Sequence, residues 1–535
     1  MAETAARTRT DRFLDVIERV GNKLPDPFML FLGLFLFVGV LSTVLQLLGV
    51  SVTIPGSDEA TAVRGLFTGE GMTWLTVNLG ANFIGFPPLL TVVTILLAVT
   101  VAERTGLLSA VIRVSLGSAP KWLLPYAVGF VGVTASVMSD AAFIVVPPLA
   151  AMVFKAAGRH PIAGLVGGFA AVGAGYSTSP VVTSLDALFS GITTAVTETL
   201  PNAGAPVTPV SNFWFNLVSS VVLAIVAGFI ISRMVEPRLV REGAPTEMVE
   251  TEDDSLDRHS AASDDIAPAL RDLPTDLSPG LEPQERRALR LAGVMFLVLA
   301  ALILVAVLPG GSPWRGPNGG FLPESPLLDS TVFVVFVLFM GPGLVYGFTA
   351  GTLRTAADVP KVMGRGIKDM SAFLVLAFML GQFIALFNWS NLGSALAVSG
   401  ARGLEAIGLT GYPAIIGFIL LCSVLNLFIV SGSSMWTLMG AVFVPLFALL
   451  GYEPGFVQAA FRVGDSATQV ITPMNPYIWI FLVMLQRYEP KAGLGTVMAR
   501  MLPFVPAFWI SWVLVLTVFY YTGTDVGPGV GIRIP

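Results

Sequence analysis

The chain has 535 residues, of which 54% are hydrophobic and 12% charged, against about 25% charged in an ordinary soluble domain. That composition excludes a string of soluble domains and implies an all-α integral membrane protein, because only structures that satisfy their own backbone polar groups cross a bilayer. The formal charge of −5 is concentrated in one acidic stretch, and no nucleic-acid partner is expected.

Residues 1–27 are polar and Arg-rich and read as a cytoplasmic N-terminal segment. The first apolar run, 28 to 50, holds no charge over 23 residues, enough to cross a hydrocarbon core about 30 Å thick at about 1.5 Å per residue. No small-residue cleavage site follows the basic segment, so the run is an uncleaved span and not a signal peptide. Further spans at 86–110, 161–190 and 212–235 complete a first membrane half, 28–235. Residues 236–288 then turn acidic, Ser/Ala/Pro-rich and nearly free of aromatics, a composition that cannot bury enough apolar surface to fold alone. A flexible cytoplasmic linker is the expectation, and a partner-binding role the alternative. Spans at 289–309, 330–352, 371–399, 456–487 and 503–522 form a second half, 289–522, followed by a tail, 523–535. The single cysteine, Cys422, sits in an apolar run, excludes an intramolecular disulfide and reads as a core thiol.

Two segments, about 122–154 and about 415–450, are long for one straight span. Each is broken near its middle by small polar residues, Thr134-Ala-Ser-Val-Met-Ser-Asp140 and Val430-Ser-Gly-Ser-Ser-Met-Trp436. Two re-entrant hairpins are therefore predicted, with their tips as candidate sites, since irregular backbone at membrane depth persists only where protein or a wet cavity covers it. With nine spans, two hairpins and a cytoplasmic N-terminus, 25 of the 30 Lys/Arg fall at or beyond the cytoplasmic span ends, one (Arg462) lies within a span and four (Arg64, Arg315, Arg402, Arg533) fall outside. This satisfies the positive-inside rule and places the protein in a bacterial inner membrane with its linker in the cytoplasm.

A repeat follows each tip. Asp140-Ala-Ala-Phe-Ile-Val-Val-Pro-Pro148 leads to Pro161 and, 19 residues later, Pro180; Trp436-Thr-Leu-Met-Gly-Ala-Val-Phe-Val-Pro445 leads to Pro454 and, 19 later, Pro473. The extra span at 289–309 makes the second copy run inverted, and inverted repeats with broken helices mark alternating-access carriers. The breaks themselves are Gly173-Ala-Gly-Tyr-Ser-Thr-Ser-Pro-Val-Val-Thr-Ser184 and Val470-Ile-Thr-Pro-Met-Asn-Pro476. Proline removes a backbone donor, Ser and Thr satisfy the freed groups, and unwound carbonyls with hydroxyls such as Ser139 and Thr472 can ligate Na⁺, while half-helix N-termini attract a carboxylate.

Ionisable groups at membrane depth are expensive and read as functional. Arg462 and Asp465, three apart on one helix, share a face and can pair structurally; the functional alternative gives Arg462 to a substrate carboxylate and Asp465 to cation or proton coupling. Asp186 follows the first break as a coupling or binding candidate, and Asp140 is either an N-cap or a site residue. Asn426 offers an amide beside the second tip, and Trp436 either an interface anchor or a stacking wall for an aromatic substrate. His160 and His259 lie in a loop and in the linker, and no HExxH, CxxC, Walker loop or nucleophile elbow occurs, so nothing indicates an enzyme.

Asn426-Leu-Phe-Ile-Val-Ser-Gly-Ser-Ser-Met-Trp436, Gln458-Ala-Ala-Phe-Arg462-Val-Gly-Asp465 and Ile471-Thr-Pro-Met-Asn-Pro-Tyr477 resemble the p-aminobenzoyl-glutamate transporter (AbgT) family, as do Asp186-Ala-Leu-Phe-Ser-Gly-Ile192, Val101-Ala-Glu-Arg-Thr-Gly-Leu107 and Phe387-Asn-Trp-Ser-Asn-Leu-Gly393. The resemblance spans nearly the whole chain except the acidic linker. It implies a homodimer in membrane lipid, with nine spans and two hairpins per subunit, that moves p-aminobenzoyl-glutamate or related anionic aromatic amides, or exports sulfonamide-like antimetabolites, on a Na⁺ or H⁺ gradient. No cofactor other than the coupling ion is implied. By matching motif it implicates Asp186, Asn426, Ser433, Trp436, Pro454, Arg462 and Asp465, with Na⁺ expected at Asn426 and Asp465. The first break departs from the family pattern, which is richer in Asn and Gly there, so Pro180 is expected to alter the cation site.

Overall fold

A computed structural model describes residues 25–53, 60–138, 141–197, 204–248, 280–322, 325–472 and 474–535. The expected hydroxyl and carboxyl ligands Ser139 and Asp140, the repeat's Pro473, most of the N-terminal segment and most of the acidic linker lie outside these residues. Described elements are helical apart from a small antiparallel pair, Ser51–Thr53 with Ala60–Ala62, and two isolated bridges.

Eight helices among the described residues are long and apolar enough to cross a membrane. Seven of them, beginning with Pro27–Leu47 and ending with Leu494–Thr522, coincide with expected spans, and the eighth, Gly432–Leu449, is the second arm of the segment around 415–450. Their ends follow from local chemistry. Pro27 stands at the first helical position, where its missing N–H is no loss, and Asp26 caps the helix by accepting from the Phe28 amide at 2.8 Å. Span limits shift where turn residues intervene. The span expected at 86–110 is preceded by a helix, Gly69–Ile84, and ends at Arg104; the one at 371–399 stops at Trp389, because Asn391 adopts a left-handed conformation (φ 59°) before a new helix, Leu392–Ala406. Helix also continues past 235 through Glu236–Glu242.

The two expected broken spans are broken in matching ways. Both open on proline at the first helical position, and their first halves, Pro161–Ala174 and Pro454–Ala467, are each 14 residues long. After an irregular stretch the chain resumes as Ser184–Thr197 in one and, past a short 3-10 turn at Gln469–Ile471, as Tyr477–Gln486 in the other. The segments expected as hairpins divide likewise, into Leu124–Thr134 and Ala141–Ala156, and into Tyr412–Asn426 and Gly432–Leu449.

These pieces pack through small residues, the usual means of close helix approach in a bilayer. A Cβ on Gly464 would come 2.4 Å from the Cys422 Cβ and 2.8 Å from the Ile419 carbonyl oxygen, so only glycine lets Pro454–Ala467 lie against Tyr412–Asn426. The tail closes over the far end of that unit. Ile534 N–H donates to the Gly451 carbonyl (3.0 Å), Glu453 N–H to the Ile532 carbonyl (3.1 Å), and the Arg533 guanidinium lies 3.7 Å above the Tyr452 ring.

Candidate substrate and ion site

The first break interrupts the helical bonding of residues 175–183; Gly175, Tyr176 and Thr178 N–H still bond to preceding carbonyls, and side chains near and far satisfy others, as burial demands. Ser136 Oγ donates to the Thr178 carbonyl (3.3 Å), Ser177 N–H donates to Ser466 Oγ (3.1 Å), and Thr183 N–H donates to Asp186 Oδ2 (2.7 Å). The irregular backbone is thereby stitched to the second broken helix, which carries Arg462, Asp465 and Ser466.

Arg462 is 1% exposed, and its ion-pair partner is Asp186, 3% exposed, at 2.8 Å. This corrects the expected pairing of Arg462 with Asp465: same-face spacing permits that pair, but the guanidinium extends to the neighbouring broken helix instead. Its other donors are also engaged, Nε with Asn212 Oδ1 at 2.9 Å and Nη1 with the Ser177 carbonyl at 2.6 Å, and the ring of Phe189 lies 5.1 Å away. Asp186 accepts from four donors in all, the others being the Thr183 amide and hydroxyl and Asn216 Nδ2 at 3.0 Å. A buried carboxylate needs such a complement.

Asp465 is fully buried and forms no ion pair within 4.0 Å among the described residues. It accepts from Ser177 Oγ at 2.6 Å and from Asn426 Nδ2 at 3.3 Å, while Asn426 Oδ1 accepts from Thr468 Oγ1 at 3.0 Å. Gly432, which opens the second arm after the second tip, abuts this carboxylate: a Cβ there would sit 3.4 Å from Asp465 Oδ2 and 3.1 Å from the Tyr176 ring. Ser177 thus joins both charge centres, its carbonyl holding Arg462 and its hydroxyl holding Asp465.

The remaining expected residues fall around this cluster. Trp436 is fully buried, its Nε1–H directed at the Phe189 carbonyl (3.2 Å) and Thr193 Oγ1 (3.0 Å) and its ring 4.5 Å from that of Phe461. In this conformation its face is occupied by protein. Ser433 sits in the first turn beyond the tip with its hydroxyl 3.0 Å from that of Ser431; Pro454 starts the second broken helix; Thr472 donates to the Leu427 carbonyl at 2.7 Å. Residue-by-residue reading overlooked Ser177, Asn212, Asn216 and Gln458. The last lies 2.7 Å from Thr193 and 2.9 Å from Asn212. Asn212 and Asn216, four apart at the start of an otherwise apolar helix, carried a usable signal: amides that the bilayer would not tolerate unless the interior used them. Beside the cluster lies a cavity of about 350 Å³ whose walls include Ser136, Met138, Tyr176, Ser184, Glu103 and Asp369, within the range of about 300–1,000 Å³ usual for small-molecule pockets.

The model of the AbgT putative transporter family matches residues 12–534. The chain belongs to the AbgT family. It is 35% identical over 535 residues to the p-aminobenzoyl-glutamate transport protein of Escherichia coli (strain K12), covering all of this chain and 99% of that one. Two solved AbgT-like structures superpose closely. The YdaH transporter of Alcanivorax borkumensis, reported to have an unusual topology, is 33% identical with a TM-score of 0.85, covering 94% of this chain and 100% of that one. MtrF of Neisseria gonorrhoeae, reported to illuminate a class of antimetabolite efflux pumps, is 35% identical with a TM-score of 0.85, covering 97% and 100%. The protein is therefore an AbgT transporter with multiple membrane-crossing helices, and its relatives are carriers, not enzymes.

Proposed function

We propose that the protein is a cation-coupled secondary active transporter of p-aminobenzoyl-glutamate or a closely related aromatic amide carboxylate. The reading takes the fold as nine spans and two re-entrant hairpins in two inverted repeats, assembled as a homodimer in a bacterial inner membrane with the N-terminus in the cytoplasm. One observation carries it. The buried cluster contains Arg462, Asp186 and Asp465, so with all three ionised it holds one uncompensated negative charge, and burying such a charge costs several kcal/mol unless it is neutralised. Na⁺ at Asp465 and Asn426, or a proton on Asp465, supplies the missing charge, and this makes occupancy by the coupling ion a condition for the cluster's stability.

Substrate binding follows from the same electrostatics. A glutamate moiety brings two carboxylates, and Arg462 accepts one by exchanging its Asn212 or Asp186 contact, since every guanidinium arm is already engaged. Ser433, Pro454 and the second tip position the ligand near Gly432, Thr472 and the first tip's Ser139 and Asp140 contribute to ion coupling, and Trp436 offers an aromatic wall once the packing around it opens. Two features favour a second reading, proton-driven efflux of sulfonamide-like compounds: Asp465 has no cationic side chain within 4.0 Å among the described residues, and MtrF is reported to illuminate a class of antimetabolite efflux pumps.

The deciding experiment is uptake of labelled p-aminobenzoyl-glutamate by proteoliposomes under separately imposed Na⁺ and proton gradients. Saturable accumulation under one gradient supports the proposal and identifies the ion. Failure of folded protein to accumulate it under either gradient removes this substrate and leaves the efflux reading.

A further inference from the structure

At its end the helix Phe213–Ile230 widens into a π-helical turn, Ile231–Val235, and continues as Glu236–Glu242. Beside these turns the short helix Leu494–Met501 leads into Phe504–Thr522, and between the two runs lies a cavity of about 620 Å³. Arg233, Arg238, Arg241 and Arg500 line it, with Glu242 as the one acidic lining residue. Arg238 Nε donates to Glu242 Oε1 at 2.7 Å, and the Glu489 carboxylate, outside the wall, pairs with Arg500 at 2.5 Å. With both acids counted, the described residues leave the cavity an excess of two positive charges. Arg233, Arg238 and Arg241 are exposed, so a ligand can reach them. The cavity's level in the membrane follows from the sequence around it. No charge interrupts Phe213 to Ser232 or Met501 to Thr524, each long enough to cross the hydrocarbon core, so Arg233 and Arg500 are the first charges met on leaving it. Toward the membrane middle, Ile225 and Phe229 on one helix and Ile510 and Leu514 on the other are each more than half exposed, apolar surface of the kind that acyl chains cover.

We infer that this cavity binds the headgroup of an anionic phospholipid, whose acyl chains lie along the exposed apolar faces beside it. The inference is independent of the proposed substrate and coupling ion. Guanidinium groups meet phosphate oxygens through paired N–H donors, and a basic pocket between helices at the membrane surface is the form that recognition of anionic headgroups takes. A zwitterionic headgroup brings a cation of its own, which the excess positive charge repels. A soluble anion matches the arginines and gains nothing from the apolar faces. The acidic linker is the other source of negative charge near in sequence, but the described chain leading to it does not enter the cavity: none of residues 243–248 lines it, and Glu247 pairs with Lys155 at 2.5 Å instead. One headgroup held by Arg233 and Arg241 on one run and Arg500 on the other ties together the ends of two membrane-crossing helices.

The test is native mass spectrometry of the full chain in detergent, titrated with phosphatidylglycerol or with phosphatidylcholine of the same acyl chains. The wild type is expected to bind its first phosphatidylglycerol about 25-fold more tightly than phosphatidylcholine, because each arginine at a membrane surface is worth about fivefold toward an anionic lipid and two are in excess. Arg233→Gln and Arg241→Gln are each expected to remove about fivefold of that preference, and the double variant nearly all of it. Both side chains are exposed, so the variants should keep the wild-type unfolding midpoint and the wild-type affinity for phosphatidylcholine. The control, Arg365→Gln with Lys368→Gln, removes the same charge from exposed positions on the helix Asp358–Asp369 and should leave the preference unchanged. An equal loss in the control means diffuse attraction and overturns the inference, as does a wild type that does not distinguish the two lipids. Inorganic phosphate that displaces phosphatidylglycerol at equal concentration assigns the cavity to a soluble phosphate. A preference that appears only after Glu252→Gln, Asp253→Asn and Asp254→Asn assigns it to the acidic linker, and either of these results also overturns the lipid site.

Discussion

The ion pair between Arg462 and Asp186 offers a quantitative test by double-mutant cycle. Asp186→Asn keeps the side-chain shape but turns one of its two acceptor oxygens into a donor, in a site where the Thr183 amide, the Thr183 hydroxyl, Asn216 and Arg462 all donate. Arg462 then remains buried with a full charge. Breaking a buried pair by removing one partner costs about 3–5 kcal/mol, a factor of roughly 150 to 5,000 in the ratio of folded to unfolded protein. Arg462→Gln is the converse change and leaves Asp186 as the unpaired charge. In the double variant both charges are gone, so its destabilisation should fall short of the sum of the singles by about 3 kcal/mol, the upper end of measured couplings for contacting residues. The assay is the unfolding midpoint of purified protein in one detergent at fixed protein concentration, with substrate affinity measured in parallel. Singles as stable as the wild type, or strictly additive effects in the double variant, would refute the pairing and the charge accounting built on it.

Three further outcomes follow. Asp465→Asn removes the uncompensated charge, so substrate affinity should lose its dependence on the coupling ion; in the wild type a coupling of about 5–150-fold is expected, and binding titrations with and without Na⁺ at two pH values check both. Trp436→Phe removes the donor to Phe189 and Thr193 but keeps the ring packed on Phe461, so stability should fall by about 1 kcal/mol, against about 3–5 kcal/mol for Trp436→Ala; if the indole also stacks substrate, aromatic-amide affinity falls with Ala and survives with Phe. Glu453, in the loop held by the C-terminal tail, has its carboxyl raised above the ordinary 4.5 by burial, partly offset by the Ala205 amide and reinforced by Asp525. A raised acid favours the protonated folded form, so this contribution is fully present below the unfolded value and is lost as pH rises through the folded one. Amide exchange at Ile534, whose N–H is bonded to Gly451, should therefore quicken as pH rises beyond its intrinsic dependence, and Glu453→Gln should abolish that excess.

Much of this architecture was legible because the bilayer restricts what a sequence can do. Long uncharged runs, Pro161 and Pro454 at matching positions and polar tips inside apolar segments have few other readings, and each appears at an element boundary or a break. The identity of the charged residues was legible for the same reason, since Arg462, Asp186 and Asp465 stand out at membrane depth. Their partners were not. Helical spacing placed Arg462 beside Asp465, but choosing Asp186 depends on how one broken helix crosses another, a tertiary fact with no local trace. Ser177 was hidden in a break already singled out, because the five Ser and Thr residues there are equivalent until the fold selects which one faces Arg462 and Asp465.

The hydrogen bonds of Ser177 also constrain motion. If the two broken helices slid past one another during transport, Arg462 would lose the Ser177 carbonyl and Asp186, and Asp465 would lose the Ser177 hydroxyl, leaving buried charges unpaired at several kcal/mol each. Moving both helices as one body preserves these three contacts. The structure provides a direct trial, because the Cβ of a side chain added at Gly173 would lie 3.5 Å from the Val470 Cβ, within the range of about 3.5–4.5 Å spanned by a disulfide. In a Cys422→Ala background, Gly173→Cys with Val470→Cys would tie the end of the first half-helix to the turn after Asp465. Oxidised protein that transports as well as its reduced form would support rigid-body movement; transport lost on oxidation and restored by reductant would show that the two helices separate in the cycle, and that the cluster is remade at each turnover.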